Sequence, residues 1–105
     1  MADIVIEIEV QDNGNFTYYP AVCHATPEDR INWNAKGNWA TQFTGGTPLA
    51  RTFYSGHAEK VEFTDDNKVR EGVKGIFHYA VAVAVPGSPV FPVLLDAGCP
   101  TIIID

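Results

Sequence analysis

Apolar residues alternate with polar ones in short runs along this chain, and turn residues separate the runs. In the first run, residues 4–10, every even-numbered position is apolar, and Glu7 and Glu9 stand between them. Side chains of a β-strand point alternately to its two faces, so this run predicts a strand with one buried and one solvated face. Asn-Gly, Gly-Gly and Pro-Gly pairs interrupt the chain, and turn signals recur at intervals of roughly 8–12 residues. The pattern predicts an all-β fold.

No window shows the sustained apolar stripe of an amphipathic helix. The pattern of residues 49–54 fits either a strand or a single helical turn. Residues 65–68 are predicted to be a solvated turn. A chain of 105 residues leaves no room for a second domain. We therefore expect one domain, residues 1–105, folded as a Greek-key β-sandwich of about seven to eight strands. The predicted strands are residues 4–10, 16–24, 30–34, 39–44, 58–63, 76–85, 90–95 and 101–104.

Acidic residues outnumber basic ones, with 13 Asp and Glu against 7 Lys and Arg and a net charge of -6. Binding to nucleic acid needs clustered cations, so the charge balance predicts no nucleic-acid partner. The longest apolar stretch, residues 79–85, is far shorter than the roughly 20 residues of a membrane span. The first residues show no basic segment followed by an apolar one. We expect a cytoplasmic protein as the sequence stands, and a periplasmic or secreted one if a leader was removed.

Four segments together resemble one known family of β-sandwiches. Residues 16–22 resemble that family's second strand, and residues 27–34, PEDRINWN, its turn and Trp/Asn-containing strand. Residues 75–79, GIFHY, are similar to the aromatic strand that precedes the family's ligand cysteine. Residues 98–104, GCPTIII, are similar to its closing strand. The family is that of the cupredoxins, which includes the plastocyanin-like copper proteins.

The resemblance implies a copper site, but its ligands do not carry over to this sequence. The place of the first histidine is taken by Trp39 or Ala40, that of the cysteine by Val81, and Cys99 stands near the place of the axial methionine. No histidine occurs in residues 82–98. A type-1 copper site needs two imidazoles and a thiolate around the metal. We therefore expect no type-1 copper site and no bound cofactor.

A different metal site stays open as an alternative, because thiolate and imidazole together suit copper or zinc. Its candidate ligands are Cys99, His78, Cys23 and His24. Cys23 and His24 are neighbours in a predicted strand, so they should point to opposite faces and not chelate one ion together. The chain has no nucleophile motif, phosphate-binding loop or paired-histidine motif, so no enzyme activity is predicted. Cys23 and Cys99 either form one disulfide or remain free, and in a cytosolic protein we expect free thiols.

The clearest strand has a heavy face and a light face. Residues 77, 79, 81, 83 and 85 are bulky and should face the core, which would turn His78 outward. The outward face then carries a row of small apolar residues, Ala80, Ala82 and Ala84, where polar residues are usual. Such a row indicates that something packs on it. A partner strand, a second protomer or the crossover at residues 49–54 would each satisfy the pattern.

The second candidate binding feature is a predicted aromatic cluster at one end, or pole, of the sandwich. The segment PGSPVFP, residues 86–92, replaces the ligand loop with prolines, which restrict it before any contact is made. Phe91 and Trp39 should meet at this pole, either as a plug of the core or as an interaction patch. We expect a metal-free, non-catalytic module that acts by binding an unidentified protein or by forming a homodimer. The alternative is a metal-binding or redox protein that uses the Cys/His set above.

Overall fold

The computed structural model describes residues 2–84, 93–96, 98 and 100–105. Within them the chain forms a three-stranded sheet, a six-stranded sheet and a single turn of 3-10 helix, Asp65–Asn67. No helix among these residues is long and apolar enough to cross a membrane. The strands are β1 (Asp3–Val10), β2 (Phe16–Tyr19), β3 (Val22–Ala25), β4 (Arg30–Asn34), β5 (Trp39–Thr44), β6 (Phe53–Gly56), β7 (Gly75–Ala84), β8 (Val93–Asp96) and β9 (Thr101–Ile104).

The two sheets pack face to face as a sandwich. The smaller sheet has the order β2-β1-β4, with β1 antiparallel to β2 and parallel to β4. The larger sheet has the order β3-β9-β7-β5-β6. Strand β8 pairs with residues 81–84 of β7, while β9 pairs with residues 75–78 of the same strand. The predicted all-β Greek-key sandwich is confirmed.

Pro20 divides the predicted strand 16–24 into two strands that belong to different sheets. Residues up to Tyr19 pair with β1 in the smaller sheet, and residues from Val22 pair with β9 in the larger one. A proline has no N–H to give to a ladder, so the pairing ends where it stands. The predicted strand at residues 16–24 is therefore two strands.

The predicted strand at residues 58–63 is wrong. This segment runs beside β4 without a ladder, and two asparagine side chains of β4 hold its backbone instead. Asn34 Oδ1 accepts from the N–H of Glu59 at 2.9 Å, and Asn32 Nδ2 donates to the carbonyl of Glu62 at 2.7 Å. Side-chain hydrogen bonds thus satisfy backbone groups in this segment. The alternation of apolar residues had predicted that strand pairing would satisfy them.

The polar segment that follows is more ordered than a solvated turn. Thr64 caps the 3-10 helix by accepting from the N–H of Asp66 at 3.2 Å, and Asn67 Oδ1 accepts from the N–H of Thr64 at 3.0 Å. Asn67 is buried and donates through Nδ2 to the carbonyl of Ile31 at 2.9 Å. This reciprocal cap fixes the turn against β4.

Aromatic rings fill the centre of the core. Trp33 of β4 is fully buried, and its ring centroid lies 5.4–6.0 Å from those of four rings on the opposite sheet. Tilted and edge-on contacts at this spacing favour aromatic pairs. One tryptophan of the small sheet therefore joins the two layers. The four rings around it belong to Trp39, Phe43, Tyr54 and Tyr79.

Candidate functional site

The outer face of the six-stranded sheet carries no formally charged side chain among its described positions. Cross-strand registers place one row across β8, β7, β5 and β6, namely Leu95, Ala82, Ala40 and Ser55. Histidine apart, the other outward positions hold apolar, amide or hydroxyl side chains. We call this surface the neutral face. Its described outward residues are Val22, His24, Ala40, Gln42, Thr44, Phe53, Ser55, Ile76, His78, Ala80, Ala82, Ala84, Leu95, Thr101 and Ile103.

Large apolar side chains stand exposed on the neutral face. Among the described residues, four of the five exposed large hydrophobic residues lie there: Val22, Phe53, Ile76 and Leu95, with exposures of 43%, 51%, 63% and 74%. Tyr19, the fifth, lies on the opposite sheet. Exposed apolar residues that stand singly are ordinary, but a sheet face that combines them with no charge is typical of an interaction surface.

The alanine row lies at the centre of this face. Ala80, Ala82 and Ala84 point outward from β7 and are half-buried, while Tyr79 and Val81 point into the core. The heavy face of the strand is therefore the core face, and His78 points outward as predicted. The crossover at residues 49–54 does not cover the row: Leu49 is buried in the core, and Phe53 begins strand β6 at the edge of the same sheet.

Two of the positions that the resemblance assigns to copper ligands, Trp39 and Val81, lie inside the core, whereas Ala40 points outward. Val81 is 2% exposed and pairs across the ladder with Thr41 and Asp96. Trp39 is 4% exposed, and its ring packs on Trp33. Its burial places Trp39 in the core, so its side chain offers little surface to a docking partner. Phe91, its predicted neighbour, and the segment 86–92 lie outside the described residues.

The alternative metal ligands are dispersed. Cys23 points into the core, where burial raises the pKa of its thiol to about 11, with a smaller contribution from the charge of Asp29. His24 points outward with Nδ1 3.4 Å from an Asp105 carboxylate oxygen. His78 also points outward, and its Nδ1 lies 3.3 Å from Thr101 Oγ1. The described residues contain no cluster of three or more potential metal ligands, and Cys99 lies outside them.

A polar cleft of about 270 Å³ opens at one edge of the sandwich. It lies beside β6, where the segment that follows this strand passes β4. Its walls come from separate parts of the chain, so no local motif announces it, and sequence reasoning missed it. The lining includes Trp39, Arg51, Tyr54, His57, Lys60 and Glu62.

Hydrogen bonds position the inner wall of the cleft. The Tyr54 hydroxyl donates to the carbonyl of Asp66 and accepts from the N–H of Arg51 at 3.1 Å. Burial raises the pKa of Tyr54, and the nearby Arg51 groups oppose this shift. The Arg51 guanidinium lies 4.9 Å from the centre of the Tyr54 ring, within the range of a cation–π contact. The phenol therefore holds the arginine at the mouth of the cleft.

No model of a known protein family matches this sequence, and no curated protein sequence matches it either. Among solved structures, a pseudoazurin from Sinorhizobium resembles the chain with a TM-score of 0.52. The likeness covers 100% of this chain and 75% of the pseudoazurin chain, at 17% sequence identity. At this identity the comparison speaks for the fold alone. The chain has a cupredoxin-like β-sandwich fold, as the sequence resemblance predicted.

Proposed function

We propose that this protein is a non-catalytic, metal-free cupredoxin-like module that assembles with a second copy of itself through the neutral face. The observation that carries the proposal is the lack of formal charge across the described outward positions of the six-stranded sheet. A chain with a net charge of -6 repels its own copies. A face without charges is the surface on which two such copies can meet with the least local repulsion, and the exposed Ile76 and Leu95 supply apolar contact there.

The size of the face supports a dimer of moderate affinity. At normal strand and residue spacings, six strands of these lengths present roughly 500 Å² on one face in projection. Stable interfaces bury about 800 Å² of accessible surface on each partner. The neutral face is smaller than that, so we expect a dimer that dissociates at micromolar protein concentration.

The residues at the copper-ligand positions support the metal-free part of the proposal. Val81 has no lone pair for a metal, and the Trp39 ring packs against Trp33. Electron transfer through bound copper is the second candidate function, because the fold is one that pseudoazurin also has. Elemental analysis of protein purified without chelators separates the two. Stoichiometric copper or zinc that is lost in Cys99→Ser would overturn the metal-free assignment.

Sedimentation equilibrium over a range of concentrations tests the assembly. We expect a reversible dimer for the unaltered protein and at least a tenfold weaker dimer for Ile76→Glu, because burying an unpaired carboxylate is costly. Thr17→Glu is the matched control, since Thr17 is exposed on the outer face of the small sheet. A protein that stays monomeric at every concentration contradicts the proposal, and so does an Ile76→Glu variant that dimerises as tightly as Thr17→Glu.

A further inference from the structure

Trp39 lines the polar cleft beside β6 and has an indole donor that pairs with none of the described residues. Its Nε1 is buried, as are Trp33 Nε1 and Thr41 Oγ1, which also have no partner among these residues. An indole nitrogen can only donate, and a buried donor in a native structure is nearly always paired. An unpaired one costs about 1–3 kcal/mol. Because Trp39 lines the cleft, an acceptor that enters there would remove this cost.

Gly56 lies against the Nε1 edge of the Trp39 indole. The two residues are opposite each other in the β5–β6 ladder, and both line the cleft. A Cβ placed on Gly56 would lie 2.6 Å from the Trp39 ring and 2.9 Å from Nε1. Such a contact is too short for a side chain to be tolerated there. The lack of a side chain at Gly56 therefore lets the backbone of β6 lie against the nitrogen-bearing edge of the ring.

Charged side chains of both signs surround the cleft. Arg51 and Lys60 line it with two positive charges, against the one negative charge of Glu62. Both cations are only loosely engaged, Arg51 Nε at 3.6 Å from Asp66 and Lys60 Nζ at 3.9 Å from Glu62. All four of these side chains are more than half exposed, so their mutual attraction is weak.

We propose that this cleft binds a small organic oxyanion, with Arg51 and Lys60 at its mouth and Trp39 Nε1–H at its floor. A planar guanidinium pairs well with carboxylate and phosphate groups, and the Tyr54 ring already holds this one in place. The cleft volume of about 270 Å³ suits a ligand of a few heavy atoms. Glu62 swings away as the ligand oxygens take over its contact with Lys60. The site does not require assembly through the neutral face, with which it shares Ser55.

The indole N–H resonance of Trp39 gives a direct test. The chain has two tryptophans, and Trp39→Phe assigns the pair of indole signals. Titration with malonate should shift the Trp39 signal in a saturable way, and inorganic phosphate tests whether the second oxyanion class also binds. Malonamide and sodium chloride at matched ionic strength should leave the signal where it is. The Trp33 signal, from the centre of the core, serves as an internal reference.

Charge removal at the mouth completes the test. In Arg51→Gln with Lys60→Gln we expect malonate binding to weaken at least tenfold, because charge-assisted hydrogen bonds are lost. Lys36→Gln with Lys74→Gln removes the same two positive charges from exposed positions that do not line the cleft, and its affinity should match the unaltered protein. No saturable shift with either oxyanion, an equal shift with sodium chloride, or unchanged affinity in the double variant would each overturn the site. Well-dispersed amide spectra establish that the variants are folded.

Discussion

The two outer faces of this sandwich cover the same core but differ in chemistry. The small sheet presents Asp3, Glu7, Glu9 and Arg30 to solvent, whereas the described outward positions of the large sheet carry no formal charge. Strand propensity and core packing act on the inward side chains of both sheets and leave the outward ones free to vary. The two sheets therefore differ at outward positions, where the fold does not restrict the residue type. It points to selection for a surface, and this is why we assign assembly to the neutral face.

Thiol reactivity should show the largest difference. In a Cys99→Ser background, Cys23 should react with a soluble disulfide reagent at least about 1000-fold more slowly than the cysteine introduced by Val22→Cys, its neighbour on the outward side of β3. Burial raises the pKa of the Cys23 thiol to about 11, and reagent reaches it only when the structure opens. Stopped-flow absorbance with reagent in excess measures both rates.

The same chemistry compares the two faces. A cysteine introduced by Thr17→Cys reports on the charged sheet in the way that Val22→Cys reports on the neutral face. At low protein concentration the two should react alike. At high concentration the Val22→Cys thiol should become slower and the Thr17→Cys thiol should not. Equal rates at every concentration would mean that nothing covers the neutral face.

A core substitution should show that the two faces are sides of one cooperative unit. Trp33→Leu removes the ring that contacts four aromatic neighbours on the other sheet, and we expect it to lower the free energy of unfolding by about 3 kcal/mol. Urea unfolding followed by circular dichroism measures the change. Phe53→Leu, half exposed on the neutral face, should stay within about 0.5 kcal/mol of the unaltered protein.

Acid should destabilise the protein in part by protonating Asp29, which directly precedes β4 of the small sheet. Burial alone would raise the pKa of Asp29, but hydrogen bonds from the N–H groups of Thr26 and Ala2 and from the Thr26 hydroxyl bring it below its usual value. The charged carboxylate therefore stabilises the fold above about pH 4, and this contribution is lost as the pH falls through the lower folded value. Urea unfolding at a series of pH values should show a shallower acid loss in Asp29→Asn.

The acid prediction has a matched control in the same part of the sequence. Asp12→Asn changes a carboxylate in an exposed turn, and its loss of stability between about pH 4 and about pH 2 should follow that of the unaltered protein. If Asp12→Asn and Asp29→Asn reduce the acid-induced loss of unfolding free energy equally, the hydrogen bonds to Asp29 are not the source of the acid sensitivity.

The smallest effect should come from the ion pair on the charged face. Arg30 donates to both carboxylate oxygens of Asp3, each at 2.7 Å, across the parallel β1–β4 pair. Asp3→Asn should lower the urea midpoint slightly at low salt, and the difference should shrink at high salt because exposed pairs are screened. Glu9→Gln, on the same strand and face, is the control. A salt response shared by both variants would assign it to overall charge.

Sequence reasoning recovered most of the strands but not β6, nor the features that more than one strand builds. Alternation located β1, β4, β5, β7 and β9, because each has one side in the core. The same alternation was misleading at residues 58–63, where Asn32 and Asn34 hold the backbone with side-chain hydrogen bonds that leave no local signature.

The neutral face and the polar cleft show the same limit. The alanine row in β7 was visible as a pattern within one strand. The full face needed the register of six strands, which brings Leu95 and Ala40 to opposite sides of Ala82. The cleft needed Gly56 placed against Trp39, a contact that depends on the β5–β6 pairing. Pairing between distant segments is set by the packed core, and no local spacing encodes it.

The pairing of β3 with β9 has a consequence for the order in which the protein can form during synthesis. Residues 22–25 have their described ladder partner at residues 101–104, so this edge of the large sheet stays open until those residues have been synthesised. Contacts between such distant segments slow folding and leave strand edges exposed meanwhile. Cys23 therefore remains accessible on the ribosome long after its own strand has been made. Oxidation of Cys23 is easiest in that interval, before the core closes over it.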